Sequence, residues 1–213
     1  MRFVLVLLIL TAASPVYAQD PPPKIGPYVI DFHVTVPRFP ADDPNLAASR
    51  GMQLGELPGV GIGLQLGAHV YPLRWKVITF GIGGEVASTR ASQTPLDTTT
   101  GLRSSTETFQ TLDGDLSFNF GTGNGWSYIS GGLGQSIRSL VPAGQDPLPA
   151  DSEHLRTVHY GVGARWFAKK HLAFSFDIRW YQMDPGSPEL GYNGANGTPR
   201  TTLMIMGAGI SVR

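Results

Sequence analysis

The chain has 213 residues, 41% hydrophobic and 15% charged, with a formal net charge of zero. Without a basic excess it does not fit a nucleic-acid binder or an electrostatic membrane-surface binder, and its length suits one domain better than two. Because it contains no cysteine, disulfides and cysteine-linked lipid anchors are excluded. The 27 glycines and 17 prolines, with few helix-forming stretches, favour an all-β chain.

The first 18 residues have the features of a secretory signal peptide. Arg2 supplies the positive start, an apolar run follows over residues 3–10, and Val16-Tyr17-Ala18 forms a small-residue cleavage pattern. We therefore expect a signal peptide over 1–18 and a mature domain over 19–213. Beyond the signal, no apolar run reaches the roughly 18 residues that a membrane-spanning helix needs.

Eight later segments alternate in polarity with the period of a β-strand. The connections between them are long and short in strict alternation, which predicts an up-and-down meander with its tight turns at one end and its long loops at the other. Transmembrane barrels have this asymmetry. The predicted strands are 27–36, 58–70, 77–88, 107–120, 126–138, 155–167, 171–182 and 201–212.

The two faces of these strands differ in an unusual way. In "VGIGLQLGAHV" (60–70), aliphatic residues alternate mostly with glycine. Lysine is scarce after the signal and lies outside the predicted strands, whereas the outer wall of a soluble barrel would carry many. The aliphatic row is therefore expected to face lipid and the glycine row a narrow interior, since eight strands leave room for little more than side chains.

Most charged residues within the predicted strands lie in the row opposite the aliphatic one, which the paired glycines also occupy. Arginine can bridge carboxylates with its planar guanidinium better than lysine can, so these residues are expected to form an ion-pair network in the lumen, which stabilises the barrel first of all. Arg138 is a further candidate. The predicted network comprises Asp31, Glu85, Asp113, Asp115, Arg165, Asp177 and Arg179.

Aromatic residues concentrate near the strand ends, which predicts two belts at the membrane interfaces. Six lie beside the tight turns: Tyr71, Trp75, Trp126, Tyr128, Trp166 and Phe167. Three lie near the opposite ends: Phe109, Trp180 and Tyr181.

The segment "GVGARWFAKKHLAFSFDIRWY" (161–181) resembles the penultimate hairpin of small bacterial outer-membrane β-barrel proteins of the OmpA and OmpX type. "WSYISGGLG" (126–134) and "MIMGAGISVR" (204–213) are similar to other strands of that family. The resemblance implies an eight-stranded antiparallel transmembrane barrel with short periplasmic turns and long extracellular loops, in the outer membrane of a Gram-negative bacterium. It also implies contact with outer-membrane lipids and lipopolysaccharide and with the barrel-insertion machinery. That machinery commonly reads a C-terminal aromatic, whereas this sequence ends Val212-Arg213.

These observations favour a non-enzymatic structural or surface-interaction scaffold that meets an unknown extracellular partner through its long loops. A narrow channel for ions or small solutes is the alternative. A lipid A-modifying enzyme is less favoured. The family pattern of lipid A deacylases places a histidine and a serine two residues apart on the lipid face, and no histidine here is followed at that spacing by serine; His33-Val34-Thr35 comes closest, in the luminal phase. A soluble ligand-binding barrel is disfavoured by the lysine distribution.

No catalytic residue, cofactor or metal is expected. Asp31, His33 and His69 could chelate a metal in principle, but satisfied polar groups in the lumen are the favoured interpretation.

Overall fold

The computed structural model describes residues 23–95, 101–187 and 197–213; the predicted signal peptide lies outside these ranges. Eight antiparallel strands close into a barrel in which each strand pairs with its sequence neighbours and the last pairs with the first. This confirms the predicted fold class. The strands are β1 (Tyr28–Arg38), β2 (Ile62–Trp75), β3 (Ile78–Gln93), β4 (Ser105–Thr122), β5 (Gly125–Pro142), β6 (His154–Lys169), β7 (Leu172–Met183) and β8 (Thr201–Val212).

The stagger of the strands sets the bore. Successive ladder partners can be followed from Tyr28 in β1 around the barrel to Met204 in β8. The ladder partner of Met204 back in β1 is Arg38, so one circuit of the barrel gives a stagger of ten residues. Eight strands with this stagger tilt by about 40° and enclose a cylinder with a backbone radius of about 8 Å. The interior therefore holds side chains and little else.

The aliphatic row faces outward, as predicted. In β1, the side chains of Ile30, Phe32 and Val34 are close to half exposed, while Asp31 and His33 between them are buried. The same alternation recurs around the wall. Such an aliphatic wall can face lipid tails, because a closed barrel pairs its backbone N–H and C=O groups internally. Further outward-facing side chains include Leu64, Leu66, Val86, Leu112, Leu116, Ile129, Val162 and Phe174.

The strands are longer than the sequence pattern indicates. A bulge between Val70 and Leu73 lets β2 continue to Trp75, so the expected connection "YPLRWK" shrinks to a two-residue turn at Lys76-Val77. The other tight turns, at residues 123–124 and 170–171, are equally short. At the opposite end, β3 runs to Gln93 rather than to residue 88, because the backbone ladder continues after the apolar alternation stops.

The predicted aromatic belts are wrong in part, because five of the nine aromatics are buried in the lumen and a sixth, Phe167, packs against the turn-side residues. Their side chains help to build apolar clusters at the two ends of the lumen, which we call the turn-side and loop-side clusters. Parity along a strand, and not nearness to its end, decides the face. The turn-side cluster comprises Ile25, Val29, Tyr71, Trp126 and Tyr128. The loop-side cluster comprises Phe39, Ala91, Phe109, Leu155, Tyr181, Met183, Leu203 and Ile205.

The first long loop is ordered by a short helix, α1 (Pro44–Ser49). Asp43 caps it by accepting hydrogen bonds from the backbone N–H groups of Asn45 and Leu46, at 2.9 and 3.2 Å. Leu46 then packs with Leu57 and with Leu140 of β5. Within the described residues, no helix has the length and apolarity needed to cross a membrane.

Candidate functional site

The first half of the luminal site is a bidentate ion pair between Arg165 of β6 and Asp31 of β1. Arg165 donates from Nε to Asp31 Oδ1 at 2.8 Å and from Nη2 to Oδ2 at 2.6 Å. Ser211 of β8 donates a third hydrogen bond to the same carboxylate, at 2.5 Å. The guanidinium lies 4.2 Å from the ring centroid of Tyr128, within cation–π range. Arg165 is only 2% exposed, so its charge depends on these contacts.

In the second half, one guanidinium serves three carboxylates. Arg179 lies 3.1 Å from Glu85, 3.3 Å from Asp115 and 3.0 Å from Asp177, with a different nitrogen facing each. Glu85 also accepts hydrogen bonds from Tyr181, at 2.6 Å, and from Gln65 of β2, at 3.0 Å. This cluster therefore joins β2, β3, β4 and β7 across the bore.

The glycine row creates the space for these side chains. Gly67 is the ladder partner of both Asp31 and Glu85. Gly132 and Gly134 oppose Asp115 and Asp113, and Gly161 and Gly163 oppose Arg179 and Asp177. A Cβ on Gly161 would come within 2.8 Å of Arg179 Cγ. Most of the ionic side chains, Arg165 excepted, therefore cross the lumen over a position that carries no side chain.

The structure places all seven predicted network residues in the lumen and buries each of them. Asp113 contacts neither arginine of the network; it accepts a hydrogen bond from Thr111 at 2.5 Å and lies 3.7 Å from His159. Arg138 lies outside the network and pairs with Glu107, at 2.5 Å, near the loop-side cluster. The sequence analysis missed Glu107 as the partner of Arg138, although Glu107 lies on the same face of its strand as Phe109.

Three histidines complete the network; the sequence analysis expected His33 and His69 among the polar groups of the lumen but left all three out of the ion-pair network. His33 lies 3.7 Å from Asp177. His69 lies 3.0 Å from Asp115 and 3.6 Å from Asp31. His159 lies 3.7 Å from both Asp113 and Asp115. The signal that could have found them is their phase, which is that of the acids.

The network contains more carboxylates than guanidiniums. Asp31, Glu85, Asp113, Asp115 and Asp177 stand against Arg165 and Arg179, so these side chains carry a formal charge of −3. Since buried charge is tolerable only when it is compensated, the histidines are structural partners of the acids.

Two arrangements in the lumen have chemical potential on geometry alone. Ser175 Oγ is hydrogen-bonded to His33 Nε2 at 2.7 Å, and His33 Nδ1 lies 3.7 Å from Asp177, in the order of a hydrolytic triad. Ser175 is only 4% exposed and points into the ionic network, where an acyl substrate has no room.

The second arrangement could hold a metal ion. Ligand atoms of Glu85, Asp113 and His159 lie within 4.8 Å of one another. The Glu85 oxygens, however, already accept hydrogen bonds from Tyr181 and Gln65, and Oε2 also pairs with Arg179. These contacts satisfy Glu85 without a metal.

On the loop side, side chains connect all four long loops. Arg103 donates to Glu56 from its backbone N–H at 2.7 Å and from Nε and Nη2 at 3.0 Å. These hydrogen bonds lower the pKa of Glu56 to about 2. Arg50 lies 3.4 Å from Asp151 in the third loop and donates to Thr198 in the fourth at 3.2 Å. We call this assembly the loop platform.

A closed eight-stranded barrel with an aliphatic outer wall and a charged interior defines a transmembrane barrel of the outer-membrane type. The family model for the outer membrane protein beta-barrel domain matches residues 3–209, and the chain belongs to this family. The family is that of the Gram-negative outer membrane.

Solved structures that share the fold include two bacterial surface proteins. Neisserial surface protein A (NspA) is 11% identical, with a TM-score of 0.53 over 88% of this chain and 97% of that protein. Ail, the attachment invasion locus protein of Yersinia pestis, is 15% identical, with a TM-score of 0.51 over 86% and 97%. At these identities the likeness shows the fold alone. No curated protein sequence matches the chain.

Proposed function

We propose that the protein is a non-enzymatic outer-membrane scaffold that holds the loop platform outside the cell, exported by the signal peptide at 1–18. The observation that carries this proposal is the closure of the lumen at both ends. The turn-side and loop-side clusters close its two mouths, and the ionic network fills the space between them.

The packing of the clusters favours a plug over a pore. On the turn side, the Tyr71 and Trp126 rings meet edge to face with centroids 5.9 Å apart, and Phe167 stacks on Trp126 at 5.1 Å. On the loop side, Phe109 and Tyr181 pack at 5.3 Å. A solute would have to separate these rings and then break buried ion pairs, which is costly in so narrow a barrel.

The contacts among the described residues of the loop platform hold them in place before a partner binds, which reduces the conformational entropy lost on binding. The four loops (39–61, 94–104, 143–153 and 184–200) contain nine acidic residues but only three basic ones, Arg50, Arg103 and Arg200. Ail has been crystallised with the heparin analogue sucrose octasulfate. The acidic excess here instead favours a cationic or basic partner.

Conductance in planar bilayers tests the scaffold against the channel. Purified wild-type protein and the Arg165→Ala variant are first shown to be folded by their heat-dependent mobility on a gel. A scaffold gives no discrete conductance steps in either protein. Discrete steps in the wild-type protein that change in amplitude or frequency in Arg165→Ala would overturn the proposal in favour of a channel through the network.

A further inference from the structure

The two ends of the barrel carry opposite charge. All four lysines that follow the predicted signal lie at the tight-turn end, beside or within the turns and the entry to β1. The segments 71–80, 119–127 and 165–173, which contain the tight turns, have no aspartate or glutamate. The cationic side chains on the outer surface of this end are Lys24, Arg74, Lys76, Lys169, Lys170 and Arg213.

Three of these cations surround one pocket. A cavity of about 350 Å³ opens between the segment that enters β1, the β6–β7 turn and the end of β8. This volume lies within the range of small-ligand sites. Lys24, Lys170 and Arg213 contribute to its wall together with His171, and the described residues that line it include no aspartate or glutamate.

The wall of the pocket is built into the fold. Arg213 donates from Nε to the Lys170 carbonyl oxygen at 2.8 Å and from Nη1 to the Gly123 carbonyl oxygen. Its guanidinium stacks 3.9 Å from the Phe167 ring centroid. His171 Nδ1 donates to the main-chain oxygen of Arg213 at 2.9 Å, so that oxygen is already satisfied. These contacts hold the Arg213 charge at the rim.

One side of the same pocket faces the membrane. Tyr28, the first residue of β1, lines it and is 46% exposed on the outer wall, where aromatic rings meet lipid headgroups. The pocket therefore joins fixed positive charge to the lipid-facing wall. A free anion could use only the charged part of it.

We propose that this pocket binds the phosphate of an anionic phospholipid from the periplasmic leaflet, with the acyl chains descending along the wall beside Tyr28. Lys24, Lys170 and Arg213 neutralise the phosphate, and Tyr28 lies at the level of the glycerol backbone. The site is independent of the lumen, so it stands whether or not the barrel conducts.

The experiment measures lipid binding to the folded full-length barrel by native mass spectrometry in detergent. Phosphatidylglycerol is titrated against phosphatidylcholine, which has the same phosphate but no net charge. The test variant is Lys24→Ala/Lys170→Ala. The matched control is Lys76→Ala/Lys169→Ala, which removes equal charge from the same rim outside the pocket wall. Heat-dependent gel mobility verifies that each variant is folded.

We expect the wild-type and control proteins to retain phosphatidylglycerol in preference to phosphatidylcholine. The test variant should lose roughly ten- to thirty-fold in that preference, the effect of removing two cations near a lipid surface. Equal loss in the test and control variants would show diffuse attraction and overturn the proposal. Displacement of the lipid by equimolar inorganic phosphate would also overturn it, because the pocket would then be a free-anion site.

Discussion

An Arg165→Met substitution would test the ionic network at one of its most buried contacts. It removes both hydrogen bonds from the guanidinium to Asp31 and leaves that carboxylate with Ser211 and His69. It also makes the formal charge of the network more negative, from −3 to −4. Removing one partner of a buried ion pair costs about 3–5 kcal/mol, so we expect a loss of this size in the free energy of unfolding.

Substitution of the other partner of the ion pair should reduce the free energy of unfolding by less. Asp31→Asn leaves Arg165 buried, but it retains an amide oxygen as acceptor and lowers the carboxylate excess, so we expect about 1–2 kcal/mol. In the double variant neither charge remains. Its loss should therefore fall below the sum of the single losses by about 2–3 kcal/mol.

The measurement is urea unfolding of the barrel in lipid vesicles at neutral pH, with the folded fraction measured by gel mobility. Two results would refute the reasoning. If Asp31→Asn costs as much as Arg165→Met, the excess of carboxylates does not govern the lumen. If the losses in the double variant are additive, the pair is not energetically coupled.

Two further predictions concern the loop platform and the glycine row. Hydrogen bonds from Arg103 lower the pKa of Glu56 from 4.5 to about 2. They therefore stabilise the folded loops by at most about 3 kcal/mol. This stabilisation is fully present above about pH 4.5 and is lost as the pH falls towards 2. Hydrogen exchange, corrected for its intrinsic pH dependence, should show loop protection falling over that range in wild type but low throughout in Glu56→Gln; identical pH profiles would contradict this. Gly132→Ala should destabilise the barrel by more than about 2 kcal/mol in urea unfolding, because its Cβ would clash with the Gly114 carbonyl oxygen. The control Gly114→Ala, whose nearest contact would be 3.9 Å, should be nearly neutral, and equal losses would argue against crowding.

The barrel could be predicted from the sequence because its rules are local. Strand period, turn length and the alternation of long and short connections are each visible within a few neighbouring residues. The outward face followed from the same alternation, since Ile30, Phe32 and Val34 share one parity and Asp31 and His33 the other. The scarcity of lysine in the strands distinguished a lipid-facing wall from a soluble one.

The errors arose where distance to a strand end was used in place of parity. Trp126 and Tyr128 lie beside a tight turn and were assigned to an interfacial belt, but they share the phase of the luminal residues of β5 and close the bore. The bulge after Val70 and the polar continuation of β3 to Gln93 also had no clear signal, because both depend on pairing with a neighbouring strand.

The sequence by itself determined the number of strands, their order and the side of the wall on which the aliphatic and most of the charged residues lie, because these properties depend on local periodicity and on the lengths of the connections. Only the tertiary structure decided which charges meet. Asp31 and Arg165 are 134 residues apart in the chain and lie on strands that do not pair. They come together because the ten-residue stagger fixes their heights across a bore narrow enough for one guanidinium to reach the opposite wall.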